Sequence, residues 1–149
     1  MEAHDPIAIV IAALNSFEPS REDTDNVYRP YQLFEGFQPL PDRERVARAM
    51  FSLLERFPYA EFGSPGPLVH ELEAIPSYLP LLRDSVRRQP TPLTVWMINR
   101  LLNTKLPNDE RELWISELRA VLEHPLASEQ TRTFAEMFSA DQQDSSLNG

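Results

Sequence analysis

Thr91-Pro92-Leu93-Thr94-Val95-Trp96-Met97-Ile98-Asn99-Arg100-Leu101-Leu102-Asn103 is the stretch whose reading decides the fold. Threonine followed by proline starts a helix: the hydroxyl accepts from a first-turn N–H, and proline lacks only a donor that the first turn cannot use. Leu93, Val95, Met97, Ile98, Leu101 and Leu102 then cover most of the circumference, so this helix belongs at the centre of a helical domain. The exception is a stripe of Trp96, Asn99, Arg100 and Asn103, at i, i+3, i+4 and i+7. Two readings of it stay open. Trp96 and Arg100 are residue types that anchor protein interfaces; alternatively, the polar groups bond loop carbonyls and hold a stack of helices in register.

Downstream, Asn108 is expected to cap a helix with Leu113, Trp114, Leu118, Val121 and Leu122 inward. Glu117 projects between Leu113 and Val121, inside the apolar sector, where an ionised carboxylate is costly unless paired. Either an arginine of another helix meets it or it lies on a partner-facing edge. Ser128 caps the last helix, carried by Thr131, Phe134, Met137 and Phe138. Residues 140–149 have no apolar face and are expected to form a disordered or loosely attached tail.

Upstream, Tyr78, Leu79, Leu82 and Val86 predict a helix with Pro80 in its first turn and Arg83, Arg87 and Arg88 on its polar side. Ser64-Pro65 opens a short helix through Leu68, Val69, Leu72 and Ile75. Asp42 caps one in which Val46, Met50, Leu53, Leu54 and Phe57 form a single apolar face. Asp5-Pro6 opens a first helix whose Ile7, Ile9, Val10, Ile11, Leu14 and Phe17 reach nearly every face, which predicts burial all round. Between these two, residues 18–41 hold Pro19, Pro30, Pro39 and Pro41, the acids Glu22, Asp23 and Asp25, and the aromatics Tyr28, Tyr31, Phe34 and Phe37. Helical periodicity fails there, and an ordered loop with at most one turn near 31–35 is expected. Its aromatics either dock the loop on the core or, with Tyr28 and Tyr31 beside Asp23, Asp25 and Glu35, grip a cationic partner.

Seven helix signals without a convincing alternating strand predict an all-α fold. The spacing of the helix starts suits a compact irregular stack of about seven helices in HEAT-like antiparallel hairpins, forming one domain over 1–139. Its core is expected to include Ile11, Val46, Met50, Leu54, Leu68, Leu72, Leu82, Val95, Ile98, Leu102, Leu118 and Phe134.

Composition narrows the chemistry. The 149 residues contain no cysteine, which removes thiol nucleophiles, disulfides and Cys-ligated zinc. Four glycines against fourteen prolines leave no phosphate-cradling loop. The net charge of −9 divides into −5 over 1–41, +2 over 42–106 and −6 over 107–149. Nucleic acid would be repelled, and the acidic flanks suit a cationic partner or simply solvation. The longest apolar run, Ile7 to Leu14, falls well short of the roughly 20 residues of a membrane span, and no cationic leader precedes it, so the cytoplasm is the expected location. His70, Glu71 and Glu73, with distant His4 and His124, are the only ligand-like set, and the second histidine of a zinc-protease helix is missing. No serine sits in a nucleophile elbow. Neither metal nor cofactor is expected, and no catalytic residue stands out.

The runs GlySerProGlyProLeuValHisGluLeuGlu at 63–73 and ProThrProLeuThrValTrpMetIleAsnArgLeuLeuAsn at 90–103 resemble a family of small acidic bacterial proteins associated with immunity to polymorphic toxins. The resemblance spans roughly 45–138. It implies a cytoplasmic protein, monomeric when free, that binds a cognate toxin domain and blocks it stoichiometrically without chemistry of its own. A helical-repeat adaptor for cellular partners and a small hydrolase are the competing expectations.

Overall fold

The Thr91 start is reciprocal: the Thr94 N–H donates to Thr91 Oγ1 at 3.2 Å, and the Thr91 N–H donates to Thr94 Oγ1 at 3.1 Å. This capping box sits with both side chains buried, and it satisfies donors that would otherwise be orphaned away from water. The computed structural model describes residues 6–19, 23–35, 43–58, 60, 62–63 and 66–148. Among them the fold is all-α, with eight helices and no strand: α1 (Pro6–Asn15), α2 (Asp23–Glu35), α3 (Arg43–Arg56), α4 (Pro67–Glu73), α5 (Tyr78–Arg88), α6 (Pro92–Leu102), α7 (Asn108–Leu122) and α8 (Glu129–Asn148). They gather into two compact units, 1–81 and 82–149, and the division falls within α5.

In the first unit α1 packs on α3, and α4 packs on both α2 and α3. Among its described side chains α1 buries Ile7, Val10 and Leu14, at i, i+3 and i+7. Ile9 is 45% exposed and Ile11 half-buried, which corrects the expectation of all-round burial with Ile11 in the core. At the end of α1, Arg56 of α3 donates to the carbonyls of Leu14 (2.9 Å) and Asn15 (3.0 Å), satisfying acceptors that the helix leaves open.

The segment expected to be a loop contains a full helix, α2, despite Pro30 in its interior. Pro30 cannot donate to the Asn26 carbonyl. The helix survives because tertiary burial of Asn26, Pro30 and Phe34, at i, i+4 and i+8, outweighs that loss. Arg29 helps tether it, donating to the Glu18 carbonyl at 3.1 Å with its guanidinium 4.3 Å from the Phe17 ring centre. α4 begins later than Ser64-Pro65 suggested, with Gly66 as cap and Pro67 in the first turn. Gly66 has φ +89°, and a β-carbon there would lie 2.0 Å from the Phe62 carbonyl oxygen, so only glycine fits.

In the second unit α6, α7 and α8 each pack against the other two. Pro107, not Asn108, holds the cap position of α7, while Ser128 caps α8 as expected, accepting from the Thr131 N–H at 3.1 Å. The helical backbone then runs to Asn148 in place of the tail expected from 140. α8 is also rotated from the expected register. Its buried residues are Thr131, Ala135, Ser139 and Gln142, whereas Phe134 and Phe138 are half-buried and Met137 is 52% exposed. Phe134 therefore leaves the expected core, and Leu113 of α7, also expected inward, is exposed. The remaining expected core residues are buried.

Leu102 is 2% exposed near the end of α6. Leu102→Asp places an unpaired carboxylate there at a cost of several kcal/mol, against a total stability of about 5–15. Its circular-dichroism melt should lie far below that of the parent chain; an unchanged melt contradicts this core.

Candidate functional site

Of the side chains singled out in the sequence, Glu117 has the most complete surroundings. α7 carries it inward with Trp114, Leu118 and Val121, leaving 6% of its side chain exposed. α5 supplies the partners. Arg83 Nε donates to Oε1 at 2.7 Å, and Arg87 donates to the same oxygen through Nη2 at 2.7 Å and to Oε2 through Nε at 3.3 Å. The arginine partner required by its position in the apolar sector is thus present twice. Burial pushes the carboxyl pKa upward, but the hydrogen bonds and charges of Arg87 and Arg83 outweigh burial and hold it below the usual glutamate range.

His124 closes the same region. The Leu126 N–H donates to Nδ1 at 3.1 Å, which makes Nε2 the protonated nitrogen, and that group donates to the Arg87 carbonyl at 2.6 Å. Its ring is thereby used in joining the α7–α8 connection to α5. His70 lies exposed on α4, and His4 falls outside the described residues. Among the described residues, no group of three His, Cys, Asp or Glu is placed to hold a metal ion.

The polar stripe of α6 divides. Asn99 and Asn103 accept from Gln142 Nε2 at 2.8 and 2.9 Å, so they bond a side chain of α8 and not loop carbonyls. Arg111 of α7 completes the cluster: Nη2 donates to Gln142 Oε1 at 2.7 Å, and Nη1 donates to the Leu102 carbonyl at the end of α6 at 2.8 Å. Trp96 and Arg100 are both half-buried. Among the described residues no buried side-chain nitrogen or oxygen lacks a partner.

Among the expected contact residues whose side chains are described, Tyr28 of α2 is the most exposed. Burial of Asn26, Pro30 and Phe34 turns Tyr28 outward, and it is 61% exposed. Phe34 docks on the core, one of the two roles open to it. The backbones of Asp23, Asp25, Tyr31 and Glu35 belong to the same helix; their side chains, and Phe37 altogether, lie outside the described residues. Sequence reasoning missed Gln142 and the exposed Met137 flank, for which hydropathy carries no local signal. No helix among the described residues is long and apolar enough to cross a membrane. No family model matches the chain, and no curated protein or solved structure matches it significantly.

The Glu117 cluster makes a signed pH prediction. A carboxyl whose native pKa is lowered contributes stability that is present above its unfolded pKa and lost as pH falls through the native one. Glu117→Gln should cost about 1–3 kcal/mol at neutral pH, from weakened charge-assisted hydrogen bonds. It should also remove part of the acid-side loss, so the two stability profiles converge as pH falls through the glutamate range. Parallel profiles in chemical denaturation at successive pH values contradict this coupling.

Proposed function

We propose that the chain is a binding protein of the immunity type, which holds a cognate toxin domain stoichiometrically and occludes it without chemistry of its own. The observation that carries this reading is Tyr28, a large aromatic side chain left mostly in water on a helix whose opposite face is buried. An exposed tyrosine offers contact area at low entropic cost, and the residues sharing its helix include Asp23, Asp25 and Glu35. Carboxylates on the same helix as an aromatic anchor favour a partner with a basic surface and accelerate its approach. The net charge of −9 points the same way and disfavours nucleic acid. The toxin identity rests on the likeness of 63–73 and 90–103 to immunity proteins, and with it go a cytoplasmic site of action and a free monomer.

The test is coexpression with the product of the neighbouring upstream gene. Rescue from its toxicity and one-to-one copurification are expected; a harmless neighbour and no stable complex contradict the reading and favour a HEAT-like adaptor. Within the complex, exchanging Asp23 and Asp25 for Lys should slow association about tenfold at low salt, leaving the melting temperature unchanged, because peripheral charges act chiefly on approach. Full affinity after these exchanges and Tyr28→Ala removes α2 from the interface.

A further inference from the structure

α8 distributes its residues against their hydrophobicity. Small and polar side chains, Thr131, Ala135, Ser139 and Gln142, are buried, while Phe134 and Phe138 are half-buried and Met137 is 52% exposed. The three large residues lie at i, i+3 and i+4, so they form one flank, with Asp141 following at i+4 from Met137. The rings of Phe134 and Phe138 are 5.7 Å apart and tilted by 48°. We propose that this flank is a docking surface for a basic amphipathic segment of a partner protein, with apolar side chains at helical spacing and Lys or Arg beside them.

Charge selects that occupant. Asp141 lies on the flank, Glu129 and Glu136 lie across the helix from it, Arg132 is the one base of α8, and the segment 107–149 carries a net charge of −6. A second copy of the chain would bring the same sign to the contact, and nucleic acid or an anionic membrane would be repelled in the same way. A basic segment is attracted, and the side chains suit it: methionine adapts to varied apolar shapes, and phenylalanine faces accept guanidinium and ammonium groups. The inference stands whether or not α2 grips a toxin.

The full chain, labelled at its methionine methyl groups, tests this by NMR titration, because Met50 and Met97 are buried and Met137 is not. The probe is a synthetic peptide with Leu at i, i+3, i+4 and i+7 and Lys elsewhere. The controls are a scrambled peptide of the same composition and a version with Glu for Lys. Saturable movement of the Met137 signal with the Lys peptide alone is expected. Met137→Ala, which removes the apolar contact and adds no charge, should weaken binding about tenfold, read from the Phe134 and Phe138 ring signals, with an unchanged melt. Equal binding of the scrambled peptide, saturation without movement at Met137, or no binding overturns the proposal. So does a dimer in sedimentation that Met137→Asp dissolves, since it assigns the flank to a second copy.

Discussion

Gln142 is 2% exposed and carries a primary amide, and an amide that cannot reach water must place its two hydrogens and its oxygen inside the protein. Asn99 and Asn103 of α6 take the hydrogens, and Arg111 of α7 donates to the oxygen. This fixes the rotation of α8 against both neighbours. Turning the helix by about 100° would bring the Phe134 and Met137 flank inward. It would also withdraw Gln142 from three bonds, leave the Arg111 guanidinium short of its acceptor and bring Asp141 toward the core. The small inner residues reinforce the choice, since Thr131, Ala135 and Ser139 allow close approach, and the hydroxyl of Ser139 is satisfied by the Ala135 carbonyl at 2.7 Å. Polar satisfaction thus sets the register, and the exposed apolar flank is its consequence.

Arginine does comparable work elsewhere. Arg56 closes the end of α1, Arg29 ties α2 to the segment before it, Arg83 and Arg87 neutralise Glu117, and Arg111 joins the end of α6 to α8. The planar guanidinium donates in several directions at once, which suits it to bridging carbonyls and carboxylates that a lysine would serve singly. In a chain with fourteen basic residues, these five spend their donors on groups of the chain itself, although Arg29, Arg56 and Arg87 remain exposed. Asp109, Glu110, Glu112, Glu136 and Asp141 are exposed, as are the bases Lys105, Arg119 and Arg132.

Legibility in the sequence followed the locality of the interactions. The Thr91 capping box, the Ser128 cap and the one-sided face of α3 are written within a few residues, and each is present in the structure. Glu117 was also legible, because a carboxylate in an apolar sector demands a partner even when its identity is not encoded nearby. α2 was not: prolines and acids obscure its period, and of its described buried residues, Asn26, Pro30 and Phe34, one is strongly apolar. α8 misled in the opposite sense, since hydropathy ranks Phe134 and Met137 above Gln142. The partners that reverse that ranking stand 31 to 43 residues away in the chain, and no local pattern records them.

The most direct measurement uses the absence of native cysteine, which makes any introduced thiol the only one in the molecule. Met137→Cys and Ala135→Cys, two residues apart on α8, report opposite sides of the register. The account expects the thiol at 137 to react with a soluble disulfide reagent near the rate of an unstructured thiol, and the thiol at 135 to react only as the protein unfolds. Protection at 137 with rapid reaction at 135 in the free, folded chain would mean that the Phe134 and Met137 flank faces the core, contradicting both the register and the docking surface built on it.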